Sequence, residues 1–269
     1  MGRGWVVLFA LSLLLLLVAS LTGCDSFVFT PFGSESDKYD DLNAKNLSKI
    51  MSMDDGSIPF KVAFVADTHT YYEETEKIIK ILNNRDDMDF IMIVGDITNQ
   101  GLLQEYEWSV EVFRKSRYPF LVVIGNHDAL TFGQDIFHTM FGSYNFKFRY
   151  KSVEFVCFND NKWEFGAGVP DFRWLEDAVS EIISPLSVLA CHIDPCDGAE
   201  GIFTPAEVER FESMIPSVFS LTVHGHWHGP RALVQGGVAR HVVGSAGFGH
   251  CLIVTFYADY FEVEQCKFF

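Results

Sequence analysis

The sequence predicts a layered α/β fold in which a second sheet closes over the first. Between residues 58 and 126, apolar runs alternate with stretches of helical periodicity. The runs are uniformly apolar rather than alternating, as strands covered on both faces are. After residue 140 the rhythm changes to short strands with glycine-rich turns, which supplies the second sheet.

In chain order, residues 58–67 form the first core strand. Residues 72–83 carry Ile78, Ile79 and Leu82 among charges and read as a helix. Residues 89–96 (DFIMIVGD) form the second strand, and residues 102–115 a helix with Tyr106, Val110 and Phe113 roughly on one face. Pro119 opens a third strand over 119–126, a place where proline is tolerated. Residues 144–150 and 153–159 suggest a hairpin. Residues 171–183 read as a helix capped by Asp171, and 187–192 as a strand. Thr204, Pro205 and Glu207 spell a capping box opening a helix over 204–215. A strand over 218–224 and three or four strands in residues 233–268 complete the chain. No repeat or inner boundary divides it.

The N-terminus reads as a processing segment. Arg3 precedes an apolar stretch over residues 5–18, broken only by Ser12. Leu21-Thr22-Gly23-Cys24 resembles a bacterial lipobox, which implies cleavage before Cys24 and lipidation of that cysteine. An uncleaved single-span anchor is the alternative. Either places the domain on the extracytoplasmic side of a bacterial membrane. Asp25 resembles an inner-membrane retention signal, giving a periplasm-facing location in a Gram-negative host. The expected organisation is a signal peptide over 1–23, a polar tether over 24–56 that includes a short helix near 42–51, and one domain over 57–269.

The formal charge of -16 argues against a protein that binds nucleic-acid duplexes through their backbone. It does not exclude a phosphate ester in a metal site, because bound cations reverse the local field. Six cysteines in 269 residues are too few for a disulfide-built fold. Cys157, Cys191 and Cys251 lie in apolar strands and read as core. Cys196 is near enough in sequence to pair with Cys191, which sequence alone does not decide.

Five predicted strands end in metal-capable side chains: Asp67 with His69, Asp96, Asn126 with His127 and Asp128, His192, and His226 with His228. Taken singly, Asp67 and Asp96 could cap helices, and Asn126 and Asp128 could be turn residues. Together they supply the oxygen and imidazole donors that suit borderline metal ions. His224 shares the facing of His226 and reads equally as support for that site or as a buried core histidine. Trp163 and Phe165 could stack on a base or sugar, or pack their loop onto the domain; packing is favoured. His138 and His241 read as surface or packing residues, and no role attaches to His250.

The blocks Asp67-Thr68-His69, Gly95-Asp96, Gly125-Asn126-His127-Asp128, His192 and Gly225-His226-Trp227-His228 resemble, in order and placement, the calcineurin-like metallophosphoesterase superfamily. The resemblance implies an αββα two-sheet sandwich with a dinuclear centre at the sheet edges. It implies one ion on Asp67, His69, Asp96 and His228, and another on Asp96, Asn126, His192 and His226, with Asp96 bridging. The ions would be divalent or of mixed valence: Mn, Fe or Zn. A hydroxide held between them would attack phosphorus, with His127 near the leaving oxygen as general acid or stabilising cation. One departure stands out. The protein phosphatases of the superfamily carry an aspartate at the position of Asn99 to orient the catalytic histidine, and the purple acid phosphatases carry a tyrosine there. Asn99 resembles the phosphodiesterase-type branch. The expectation is therefore a membrane-tethered hydrolase of small phosphate esters, diesters before monoesters. The alternative is a non-catalytic lipoprotein that uses the same fold to bind a ligand or partner.

Overall fold

The computed structural model describes residues 33, 36–196 and 201–269. The expected signal peptide and Cys24 lie outside the described residues. Among those described, no helix is long and apolar enough to cross a membrane.

Helix α1 spans Leu42–Ser52, β1 Phe60–Val65, α2 Tyr72–Asn83, β2 Phe90–Val94, α3 Leu103–Phe113 and β3 Phe120–Val123. Helix α4 spans Gly133–Phe141, β4 Phe146–Tyr150, β5 Val153–Phe158, α5 Lys162–Phe165 and α6 Phe172–Ser180. Then come β6 Leu186–Cys191, α7 Pro205–Val218, β7 Leu221–His224, β8 Arg231–Gln235, β9 Val238–Val242, β10 His250–Phe256 and β11 Phe261–Lys267. The capping box forms as expected, with Thr204 Oγ1 accepting from Glu207 N. Helices α4 and α5 were not anticipated, being short and without strong start signals.

One sheet runs β11-β10-β1-β2-β3 and the other β4-β5-β6-β7-β9-β8. Strands β1 to β3 are mutually parallel, as are β5, β6, β7 and β9. The sequence suggests that the C-terminal strands all build the closing sheet. Instead the tail divides: β8 and β9 extend the second sheet, and β10 pairs antiparallel with the free side of β1.

The uniformly apolar strands are explained by three apolar layers. On β1 to β3, Val62, Phe64, Met92, Val94, Leu121 and Val123 point between the sheets, against residues such as Phe155, Val188 and Val223. Their neighbours Ala63, Val65, Ile91, Ile93 and Val122 meet α2, α3 and α4 through Ile78, Leu82, Val110 and Phe137. On the far side Val156, Phe158 and Leu189 pack against Phe172, Leu175, Phe211 and Ile215 of α6 and α7. The result is an αββα sandwich.

The end of the expected tether belongs to this unit. Asn43 of α1 donates Nδ2–H to Val122 O and accepts from Val122 N with Oδ1, both at 2.8 Å. Asn46 Nδ2 donates to Phe120 O at 2.9 Å. Strand β3 is the edge of its sheet, and these asparagines satisfy backbone groups that a missing neighbour would leave unpaired.

Candidate metal centre

The parallel strands of both sheets finish at one rim, so side chains just beyond their ends converge between the sheets. The chain turns sharply there. Asp67, His69, Asp96, His226 and His228 have φ of 50°, 41°, 54°, 70° and 50°. Residues other than glycine held in this region cost on the order of 1–3 kcal/mol each, and such strain gathers at functional sites. Close approach also dictates Gly125, where a Cβ would lie 2.2 Å from both the amide nitrogen and Oδ1 of Asp96. At Gly95, with φ of +80°, a Cβ would lie 2.3 Å from His192 Nδ1.

All seven expected ligands come together at this rim. His69 and His192 use Nδ1 on backbone carbonyls, Thr98 O at 3.0 Å and Val94 O at 2.9 Å, which turns each Nε2 inward. Nε2 of His69 faces Nε2 of His228 at 3.2 Å. Asp96 Oδ2 lies 3.1 Å from His192 Nε2 and 3.7 Å from His69 Nε2, while Oδ1 accepts from His127 N at 2.9 Å. A single oxygen of Asp96, rather than one from each end of the carboxylate, thus faces both halves of the site. Asp67 Oδ1 accepts from His226 N at 2.9 Å and lies 3.6 Å from His228 Nε2; its buried Oδ2 has no hydrogen-bond partner. His226 Nδ1 meets Asn126 Oδ1 at 3.1 Å.

Donor atoms of Asp67, His69 and His228 lie within 4.8 Å of one another, and so do those of Asp67, Asp96 and His192. Asp67 is therefore central to both groups, although the resemblance gives it to one ion only. An orphaned buried carboxylate oxygen, inward-facing imidazole nitrogens and a carboxylate oxygen between two histidines fit a pair of cations.

The electrostatics agree. Burial pushes Asp67 up to about 7, helped by the charge of Asp96 and opposed by His192. Burial would also raise Asp96, but His192 and His69 outweigh it and hold the group well below the usual carboxylate range. Burial works against a charged His192 as well, yet Asp96 beside it brings it up to about 10. His192 and Asp96, 3.1 Å apart, thus each favour the other's charged form. Burial lowers His226 to about 4 and depresses His69 and His228.

His127 stays outside these donor groups. Its Nδ1 meets the backbone carbonyl of Asn99 at 2.9 Å. The backbone of Asn99, not its side chain, therefore orients this imidazole. Asp128 is a fully buried latch as well as a turn residue. Its Oδ1 accepts from Thr98 N at 2.8 Å and Thr98 Oγ1 at 2.9 Å, and its Oδ2 from Gly125 N at 2.9 Å, joining the second and third blocks.

His224 bonds Thr222 Oγ1 at 2.8 Å and Cys191 O at 3.1 Å, the residue before His192, so it supports the site through backbone. The two candidate aromatics part company. Phe165 packs edge-on against Tyr144 at 4.9 Å, whereas Trp163 is 60% exposed. The described cysteines are free thiols, and Cys191 Sγ faces His224 Nδ1 at 3.4 Å instead of Cys196. Sequence reasoning missed Ser245, whose Oγ donates to Asp67 O at 2.8 Å, and the buried Asp160. Ser245 carries no local signal. Asp160 does, as the centre of Asn159-Asp160-Asn161 at another strand end.

A sequence model described as calcineurin-like phosphoesterase matches residues 60–230. No curated protein matches the chain. The fold is similar to that of the purple acid phosphatase PPD1 from yellow lupin (Lupinus luteus), with TM-score 0.60 and 13% identity, covering 78% of this chain and 52% of that one. It is also similar to GAP50, the anchor in the inner membrane complex of Plasmodium, with TM-score 0.61 and 12% identity, covering 78% and 85%. A third likeness is to PhoD, with TM-score 0.55 and 12% identity, covering 78% and 69%. The chain spans about half the length of the lupin enzyme. With its ordered blocks converging on one rim and the family model covering most of the sandwich, the chain belongs to the calcineurin-like phosphoesterase family.

Proposed function

We propose that the protein hydrolyses small phosphate esters with two metal ions, diesters in preference to monoesters. The observation that carries this reading is the convergence of His69, His228 and His192 on the oxygens of Asp67 and Asp96. Asp67, His69, Asp96 and His228 would hold one ion, and Asp96, Asn126, His192 and His226 the other. When bound, the ions supply Lewis acidity for the ester oxygens and for the attacking water.

The chain's own residues divide the remaining work. Asp96 holds the two half-sites in register through Oδ2 and fixes His127 through Oδ1. With its Nδ1–H donated to Asn99 O, His127 would give a proton to the leaving oxygen from Nε2 as the imidazolium. The diester preference rests on Asn99, which sets the second block apart from that of the protein phosphatases. By the same reading the domain is held at the outer face of a bacterial membrane through lipidated Cys24.

Metal-loaded protein screened against chromogenic diesters and monoesters tests the proposal. Turnover that disappears on chelation and returns with Mn, Fe or Zn is expected, with the diester the better substrate. Metal-loaded protein that binds phosphate but turns over neither class overturns the enzymatic reading in favour of a binding lipoprotein.

A further inference from the structure

The Asn159-Asp160-Asn161 turn after β5 lies outside the expected ligand set, yet it touches two of the loops that carry ligands of the second ion, those of Asn126 and His192. Asn161 Nδ2 donates to Ile124 O at 3.0 Å, two residues before Asn126. Asp160 Oδ1 accepts from Ile193 N at 3.2 Å, one residue after His192. Asn159 Oδ1 braces the turn, accepting from Asn161 N at 3.1 Å and Asn161 Nδ2 at 2.9 Å. Asn159 is itself anchored, its N donating to Asn145 Oδ1 at 2.7 Å.

The three residues are 2%, 0% and 0% exposed. Such burial is costly, because Asp160 Oδ2 and Asn161 Oδ1 have no hydrogen-bond partner. Burial also drives the Asp160 carboxyl up to about 7, against the pull of His192. A turn needed only to end a strand would not require a buried aspartate and two buried asparagines.

The topology supplies the reason. Ile124 follows β3 in one sheet, while Ile193 follows β6 in the other. Asn126 and His192 therefore reach the site from different sheets, and their separation depends on how the two rims are aligned. Other ties across the rim use candidate ligands themselves, as His226 N to Asp67 Oδ1 and His192 Nδ1 to Val94 O do, while the backbone tie of Ala246 N to Ala66 O at 2.9 Å lies beside Asp67. The Asn159–Asn161 turn ties the sheets without contributing a ligand, and it does so beside only one half-site.

We propose that Asn159, Asp160 and Asn161 are positioning residues that set the gap between Asn126 and His192, and so tune the affinity of one metal ion without the other. This rests on the two-ion reading above. Outer residues that orient ligands typically change metal affinity about 10–100-fold. Asp160→Ala and Asn161→Ala should weaken the ion held by Asn126, His192 and His226 by roughly that factor. The ion held by His69 and His228 should change less than about twofold. Asp160→Asn keeps an acceptor for Ile193 N and should restore binding. Asn161→Asp is nearly isosteric but loses the donor to Ile124 O, and it carries the test if the alanine variants do not fold.

The experiment is titration of each metal-free, folded variant with Mn or Zn alone, reading stoichiometry and the two affinities by calorimetry and elemental analysis. Selective loss of one ion, with recovery in Asp160→Asn, supports the proposal. Wild type with two ions and Asn161→Asp with the same two affinities overturns the proposal alone, as does equal weakening of both ions. Wild type that takes up fewer than two ions overturns the two-ion reading and this proposal with it.

Discussion

Asp96 is the residue on which the candidate chemistry turns. Its Oδ2 lies between His69 and His192, so Asp96→Asn should impair both half-sites, while His69→Ala and His192→Ala should each weaken mainly one. Elemental analysis of purified variants checks this; full two-ion occupancy in Asp96→Asn would contradict it. His192 makes a pH prediction. Its folded-state value is raised to about 10, so it is protonated at pH 7 in the metal-free protein and must lose that proton to ligate. Metal uptake at pH 7 should release protons, and affinity should rise with pH up to about 10. Calorimetry in buffers of different ionisation enthalpy reads the release directly. His127 is tested through the leaving group. General acid catalysis is worth about 10²–10⁴-fold. His127→Ala should keep its ions and lose far more kcat/KM on an alkyl diester than on a nitrophenyl diester, whose phenolate leaves without a proton. An equal loss would show instead that His127 serves as a local cation.

Among the elements, α1 departs furthest from a simple reading of its sequence. Its surroundings are polar and aperiodic, and its role comes from Asn43 and Asn46 lying along β3. Asn43→Ala should leave Val122 N–H and C=O buried and unpaired and lower unfolding stability by about 2–4 kcal/mol, measured by urea denaturation. A change below about 0.5 kcal/mol would mean that water replaces the side chain. The strands behave differently. Their composition declares them, because burial on both faces demands apolar side chains at every position. Only the topology assigns β10 and β11 to the first sheet and β8 and β9 to the second.

For the whole molecule, the acidic surface and the metal centre are opposed. A chain of formal charge -16 repels phosphate esters at a distance, and cations held at the rim would supply the local attraction. Membrane attachment is expected to keep the domain near its site of action. Intact-mass analysis of membrane-extracted protein should show loss of residues 1–23 and a lipid adduct on Cys24. A Met1 terminus without lipid would reject the processing, and recovery from the outer membrane of a Gram-negative host would reject inner-membrane retention.

The α/β class, the strand positions and the seven candidate ligands are legible in the sequence because each follows from short-range rules. A strand covered on both faces must be apolar, and a polar side chain just past its end faces the rim. Asp67, Asp96, Asn126 and the histidines announce themselves by standing immediately after such runs. What needs contact across the fold is silent in the sequence. Asn99 acts through a backbone carbonyl that every residue type possesses, so its identity misleads about the partner of His127. Asp128 looks like a turn residue until Thr98 and Gly125 are seen to donate to it. Asp160 gains its meaning only from Ile193, Ser245 only from Asp67, and His224 only from the carbonyl before His192. Hydrogen-bond partners far apart in the chain are chosen by packing of the two sheets, and local sequence carries no record of that choice.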